Sequence, residues 1–328
     1  MKNFLFYVIR QLNFNYVLEK SRNNRLLILM FHQVNNYNSI FYKGTPINVF
    51  KETCLFIKKN YTVLLPSEVK KHFRTSSKPA AIISFDDGHY DIIKNALPIL
   101  KNLDLPFNVN IDTEILQTGK PQDFVRVYDI LNYCNVNSYY DNEFMIKPID
   151  IDKSYAVKVE KEFTKILSNF SVKKRRKFIE KMAIDLKMDE GKYSKMLSIN
   201  DIKKLNEYKV EFGSHSYSHP ILTKLSSEEI YFELKSSKTK LEEIIKSNIN
   251  ILAYPNGIYN EEVENIAKDL GFKFLLKTGD KINKIKNIEE EIVSWRRVNQ
   301  YHQTINEALA YTFQKTKLLR SIINHFKK

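Results

Sequence analysis

Short apolar runs separated by stretches of helical periodicity set the rhythm of this chain. Residues 25–34 (RLLILMFHQV) are apolar on both faces and close on a histidine, the pattern of a strand buried inside a parallel sheet. A polar loop with Asn35, Asn36, Asn38 and Gly44 follows, then a predicted helix over Ile47–Asn60 and a short strand over 61–65. Ser67 is expected to N-cap a helix running through Phe73. Ala80–Phe85 (AAIISF) reads as a second buried strand that stops abruptly at Asp86-Asp87-Gly88, and a helix over 90–103 leads to a strand over 106–111. Such strand–helix alternation is the mark of parallel βα units.

The rhythm then changes. From 116 to 198 the chain is rich in Lys and Glu with helical spacing, as in 157–167 and 173–186, and reads as a mostly helical insertion without a buried strand. The βα pattern returns with a strand over 210–213 and a helix capped by Ser226 with Glu229 three residues on. A strand over 251–254, a helix over 261–270 ended by Gly271, and strands over 272–276 and 292–298 complete it. Five segments result: an N-terminal helix (1–24), a first barrel part (25–115), the insertion (116–198), a second barrel part (199–300) and a basic C-terminal helix (301–328). The fold class is α/β, with no internal repeat.

Composition narrows the picture further. Of 328 residues 43% are hydrophobic and 27% charged, with eight Gly and nine Pro, which excludes disordered, collagen-like and low-complexity chains. The length suits one large α/β barrel or two medium domains. Cys54 and Cys134 are too few for a disulfide framework and match no zinc or redox spacing, which fits a reducing compartment. The longest apolar run, 26–31, falls far short of the ~18 residues of a membrane-spanning helix. The N-terminus begins like a signal peptide with Lys2, but Arg10 and Gln11 interrupt it and no small-residue cleavage site follows. Its expected helix either packs on the domain or lies on a membrane surface. The net charge of +14 is dispersed and accompanies no RNA-binding motif, so nucleic acid is not an expected partner. The excess favours anionic headgroups or an acidic glycan.

In parallel βα folds, functional groups collect where strands end at their carboxyl side, and four strands here end in groups able to do chemistry. After Ser84-Phe85 come Asp86 and Asp87, adjacent carboxylates pointing different ways, one free to bind a cation and the other to handle a proton; Gly88 permits the sharp turn. In 213–220 (GSHSYSHP), His215 and His219 lie four apart and reach one side if the segment turns helically. With Asp87 they make an Asp-His-His set suited to zinc or a similar metal with open positions for water and substrate. Tyr254, Pro255, Asn256 and Gly257 form a tight loop whose backbone N–H groups can face a developing oxyanion. His32 closes the first strand, where a lone histidine is more often a hydrogen-bonded core residue than a catalytic group, unless the strand lands beside the metal site.

The motifs SFDDG, HSYSHP and AYPNG resemble the successive motifs of the polysaccharide deacetylases, carbohydrate esterase family four. LMFHQV resembles the opening of their permuted branch, the poly-N-acetylglucosamine deacetylases, in which an early histidine serves as the acid. The resemblance covers 26–112 and 207–298 and implies a distorted (β/α) barrel of about seven strands. It implies that Asp87, His215 and His219 hold the metal, Asp86 is the general base, His32 the acid, and the Tyr254 backbone N–H an oxyanion donor. Arg297, in SWRRVN, resembles the late arginine that orients the base, with Arg296 beside it as the alternative. Tyr217, Pro255 and Asn256 are the implied substrate contacts. No late Leu-x-His is present, so His302 is the other candidate acid.

The expected activity is metal-dependent removal of N-acetyl groups from an amino sugar in a surface polysaccharide or its lipid- or nucleotide-linked precursor. Zinc is the expected cofactor, with cobalt or nickel as alternatives. The expected location is cytoplasmic, with peripheral contact at the inner membrane face, in capsule or O-antigen assembly. Two other readings stand beside it: a hydrolase of the same fold cutting another non-peptide C–N bond, and a non-catalytic carbohydrate- or membrane-binding protein.

Overall fold

The computed structural model describes residues 24–37, 39–279, 282–285 and 289–312. The helix expected over 1–24, apart from Asn24, and the 313–328 part of the expected C-terminal helix lie outside the described residues. In chain order the first elements are β1 (Arg25–Phe31), α1 (Ile47–Asn60), β2 (Thr62–Val63), α2 (Val69–Thr75), β3 (Ala80–Phe85), α3 (Leu97–Asn102) and β4 (Phe107–Ile111). The insertion contributes α4 (Ile115–Thr118), α5 (Asp123–Tyr133), β5 (Ser138–Asp141), β6 (Ile146–Asp150), α6 (Ala156–Asn169) and α7 (Val172–Asp185). The chain then continues through α8 (Ile199–Asn206), β7 (Val210–Ser214), α9 (Ser227–Ile245), β8 (Ile251–Ala253), α10 (Glu261–Asp269), β9 (Phe274–Thr278), β10 (Asn283–Lys284), β11 (Val293–Asn299) and α11 (Ile305–Thr312).

Seven parallel strands run β1-β11-β9-β8-β7-β4-β3, and β1 pairs with β3 from Leu26↔Ala80 to Phe31↔Phe85, so the sheet closes into a barrel. Closure removes the open edges that a flat sheet would expose. Two short strands are appended, β10 antiparallel to β1 and β2 parallel to β3.

The pleat sorts side chains into two layers. Leu26, Ile28, Ala80, Ile82, Ile251, Ala253, Leu276 and Trp295 form one cluster almost wholly of strand residues, the apolar lower filling of the barrel. Their neighbours one position along, such as Leu27, Leu29, Ala81, Ile83, Leu252 and Leu275, pack with Phe50, Ile202, Leu234 and Val263 of the surrounding helices. Burying each such Leu, Ile or Phe contributes about 1.5–3 kcal/mol.

Residues of the insertion build a separate cluster around Ile130, Leu131, Phe163, Leu167, Phe178 and Met182. It contains a strand pair missing from the sequence reading, the antiparallel β5–β6 hairpin. Both strands are short: β5 alternates only over Tyr139 and Asp141, and the buried positions of β6, Ile146 and Ile149, are three apart, a spacing that blends with helical repeats.

Two local expectations meet different outcomes. Ser226 caps α9 in a full capping box with Glu229. Ser67 caps nothing: Pro66 starts a 3₁₀ turn over Pro66–Glu68, the Glu68 carboxylate accepts the Leu65 N–H at 2.8 Å, and Ser67 donates its own N–H to Glu211 instead. Among the described residues no helix is long and apolar enough to cross a membrane.

Candidate active site and metal centre

Because the barrel strands all run one way, their carboxyl ends reach one rim, and residues just past them face a common cavity of about 1150 Å³. Asp86 and Asp87 follow β3, His215 and His219 follow β7, Tyr254 and Asn256 follow β8, Arg297 lies near the end of β11, and His32 follows β1; all line this cavity.

The turn after β3 separates the two carboxylates. Asp87 and Gly88 both take left-handed backbone, with φ of 71° each. Glycine suits the left-handed backbone at position 88, and a Cβ there would lie 2.6 Å from Ile115 Cδ1, so that side-chain end would have to shift. Asp86 turns to the barrel interior, where its Oδ1 accepts from Asn110 Nδ2 at 2.8 Å and from Arg297 Nη1. Ser84 and Asn108 continue this network, Ser84 Oγ donating to Asn108 Oδ1 at 2.7 Å and accepting from Asn110 Nδ2 at 3.1 Å. Burial alone would raise the Asp86 carboxyl, but the Arg297 charge, followed by His215, outweighs it and holds the group below the ordinary carboxylate range.

Asp87 turns towards the histidines. His215 donates Nδ1–H to the Ala253 carbonyl at 2.7 Å, which leaves Nε2 facing Asp87 Oδ1 at 3.4 Å. His219 Nε2 is 3.6 Å from the same oxygen. The expected helical turn is not what brings them together: Ser216 and His219 have φ of 69° and 55°, two left-handed residues that fold the loop back. Glu233 of α9 holds that loop, accepting the N–H groups of Tyr217 and Ser218 at 2.9 and 2.8 Å and the Ser218 hydroxyl at 2.6 Å.

One ligand atom from each of Asp87, His215 and His219 lies within 4.8 Å of the others. Asp87 Oδ1 is buried with no hydrogen-bond partner. A buried carboxylate oxygen without a donor is costly unless a cation faces it, and two imidazole nitrogens converge on this one. The donor set therefore fits a divalent metal ion. Against the cost of burial, the close approach of His215 and the charges of His32 and His219 hold the Asp87 carboxyl well below its usual range. His215 is raised despite its burial because Asp86 and Asp87 face it, whereas burial and the neighbouring His215 bring His219 down to about 4.

Comparison with known proteins agrees with this geometry. Residues 152–275 match the family model described as polysaccharide deacetylase, a span that includes HSYSHP and AYPNG. Over those residues the chain is similar to the polysaccharide deacetylases. Members of such a family are hydrolases of a carbon–nitrogen bond, and that is the reaction class of this protein. The fold is shared with the Streptococcus pyogenes deacetylase PplD in complex with acetate, at 19% identity and TM-score 0.59 over 89% of this chain and 100% of that one. A polysaccharide deacetylase from Bacillus cereus is 20% identical with TM-score 0.55, over 89% of this chain and 70% of that one. IcaB from Ammonifex degensii is 14% identical with TM-score 0.56, over 90% and 99%. No curated protein sequence matches the chain.

Other expected site residues are placed unequally. Arg297 rather than Arg296 meets Asp86, because β11 alternates: Arg297 is buried and Arg296 exposed. Asn256, with φ of 56°, lines the cavity. Pro255 is buried in the 3₁₀ turn and does not line it, and Tyr217 turns away to donate to Gln117 Oε1 at 3.2 Å and pack on Phe232. The Tyr254 N–H is not available to an oxyanion: it donates to the Leu276 carbonyl at 3.1 Å, since the β8–β9 pairing extends one residue further than the loop expectation assumed. His302 is buried beside Glu307, 3.8 Å away, and does not line the cavity, which leaves His32 there.

The sequence reading passed over several groups. Asn108 and Asn110 were visible as polar residues two apart in a buried strand. His89, one residue past the Asp-Asp-Gly turn, is buried with its Nε2 3.9 Å from Asp87 Oδ2, and burial brings its pKa down to about 4. Tyr42, whose hydroxyl donates to Asp87 Oδ2 at 2.8 Å, carried no local signal at all.

Proposed function

We propose that this protein removes N-acetyl groups from an amino sugar of a polysaccharide, or of its lipid- or nucleotide-linked precursor, with a divalent metal held by Asp87, His215 and His219. The observation that carries this reading is the convergence of those three side chains beside the Asp86–Arg297 pair in a cavity that also holds His32. Zinc is the metal proposed, with cobalt and nickel as substitutes. When bound, such an ion polarises the acetyl carbonyl and lowers the pKa of water from ~15.7 towards ~7.

The chain's own groups supply the rest. Asp86 Oδ1 is held by Asn110 and Arg297, and Oδ2 remains directed towards the histidines, 3.9 Å from His215 Nε2, in position to accept a proton from the attacking water. Arg297 keeps that carboxylate ionised and oriented. An amine is a poor leaving group until protonated, and His32 on the cavity wall is the donor assigned to it. Asn256, at the left-handed turn after β8, lines the cavity and is the group assigned to the acetyl carbonyl in place of the Tyr254 amide, which donates to Leu276.

A cytoplasmic location with contact at an anionic membrane face is part of the proposal. It is supported by the +14 charge and by two cysteines that are both buried and unpaired. The test is acetate release from N-acetylhexosamine oligomers and lipid-linked precursors, with and without chelator and added zinc or cobalt. Release that chelator abolishes and metal restores is the expected result. Undiminished release from metal-stripped protein would overturn the reading.

A further inference from the structure

The loop between β1 and α1 is pinched at its base, where Val34 bridges Thr45, Asn35 N–H donates to the Thr45 carbonyl at 3.0 Å and Thr45 N–H to the Gln33 carbonyl at 2.8 Å. Its tip leaves the barrel and enters the insertion. Phe41 is fully buried in the insertion's core with Val127, Ile130 and Leu131. Asn132 of α5 accepts the N–H groups of Ile40 and Phe41 at 2.9 and 3.0 Å and donates to the Phe41 carbonyl at 3.1 Å. Glu160 of α6 accepts the Tyr42 N–H at 2.9 Å. Two insertion side chains thus hold the backbone of three consecutive residues.

That grip fixes Tyr42 in left-handed backbone, φ 53°, a conformation a tyrosine keeps only where its surroundings over-determine it. Its ring stacks on Tyr128 of α5 at 5.9 Å and 26°, and lies 5.9 Å from the His89 ring. The hydroxyl reaches Asp87 Oδ2, which leaves Oδ1 facing His215 and His219. Gln122, just ahead of α5, adds a second handle by donating to the Asp87 carbonyl at 2.8 Å.

We infer that the insertion is a positioning device for the metal site: through Asn132 and Glu160 it sets Tyr42, and the Tyr42 hydroxyl fixes the Asp87 carboxylate so that one oxygen is presented between the histidines. The inference rests on the metal-site reading above. Hydrogen-bond partners of metal-ligating carboxylates orient them, and losing such a partner typically costs 10–100-fold in metal affinity. Tyr42 is a positioning residue here, and Asn132 acts on the site only through it.

The test is titration of the full-length metal-free protein with Co²⁺ alone, followed by visible absorption. Tyr42→Phe keeps the ring packing and removes the hydroxyl. It should weaken Co²⁺ binding by about 10–100-fold and alter the cobalt spectrum while the melting transition of the metal-free protein stays in place. Asn132→Ala, on α5, should weaken binding in the same sense; Asn132→Asp retains the acceptor for both amides but loses the donor to the Phe41 carbonyl, so it should recover only part of that loss. In the double variant Tyr42→Phe/Asn132→Ala the two losses should not add, since both act through one hydroxyl. Binding by Tyr42→Phe within twofold of wild type, or additive losses in the double variant, would overturn the inference. Failure of the wild type itself to bind Co²⁺ would instead sink the metal reading.

Discussion

In the barrel, buried polar side chains follow the pleat. Ser84 and Asp86, Asn108 and Asn110, and Arg297 stand on inward positions of their strands and meet in one network below the rim. In the insertion they follow helix faces instead. Asp123 of α5 receives Arg175 of α7 at 2.6 Å, and Asn132 and Glu160 point from two helices at a loop belonging to the barrel. The barrel therefore concentrates charge at a point where chemistry is possible. The insertion spends its polar groups on holding other pieces of chain. Separate apolar clusters, two in the barrel and one in the insertion, allow these roles to stay separate.

The largest expected effect lies at the barrel rim. Asp87→Ala or His215→Ala should abolish bound metal and lower acetate release by at least on the order of 10³-fold, with far-UV circular dichroism unchanged. Substantial activity in either metal-free variant would remove the rim from the chemistry. Arg297→Met comes next. It strands Asp86 as a buried charge without its partner, so stability should fall by about 3–5 kcal/mol in urea unfolding and activity by about 10²-fold. A variant as stable as wild type would mean that the Asp86 carboxylate is not held by this pair.

Phe163→Ala sharpens the contrast from the other side. Phe163 is fully buried in the insertion's core, and its truncation should cost about 3–5 kcal/mol. Amide exchange should quicken in α5, α6 and α7 well before it does in β3 and β7. Equal acceleration in both regions would show one cooperative unit and break the comparison.

The smallest effect concerns Asp129 of α5, whose pKa burial raises to about 6 although its carboxylate accepts Ser194 N–H and Oγ–H. The unfolded group releases its proton near the ordinary 3.8, while the folded one keeps it to about 6. The folded state thus binds more protons in between, so its contribution is complete below pH 3.8 and is lost as pH rises through 6. Asp129→Asn, which retains an acceptor, should flatten that decline by about 1–3 kcal/mol, read as urea midpoints at pH 4 and pH 7. An unchanged slope would mean that Asp129 titrates normally.

What could be read without coordinates was whatever sits beside its own strand. SFDDG and HSYSHP were legible because a buried apolar run ending in charged residues has few bland explanations. Arg296 and Arg297 could not be told apart, since choosing between neighbours needs the parity of β11 in the sheet. The Tyr254 amide was misjudged for a related reason: where β8 stops pairing depends on β9, more than twenty residues away in the chain. Ser67 looked like a cap because Ser before an apolar run usually is one, but Pro66 had already set the turn.

The order of the barrel strands and helices, the apolar layers and the choice of Asp87, His215 and His219 were written in the local pattern, because periodicity and strand-end chemistry are properties of contiguous residues. Tertiary structure alone decided the left-handed folding of the His215–His219 loop, the pairing of Arg297 with Asp86, and the reach of Tyr42 across to Asp87 under the hold of the insertion. Each of these joins segments distant in the chain. Their geometry follows from barrel closure and from the docking of one core on another, which no window of neighbouring residues contains.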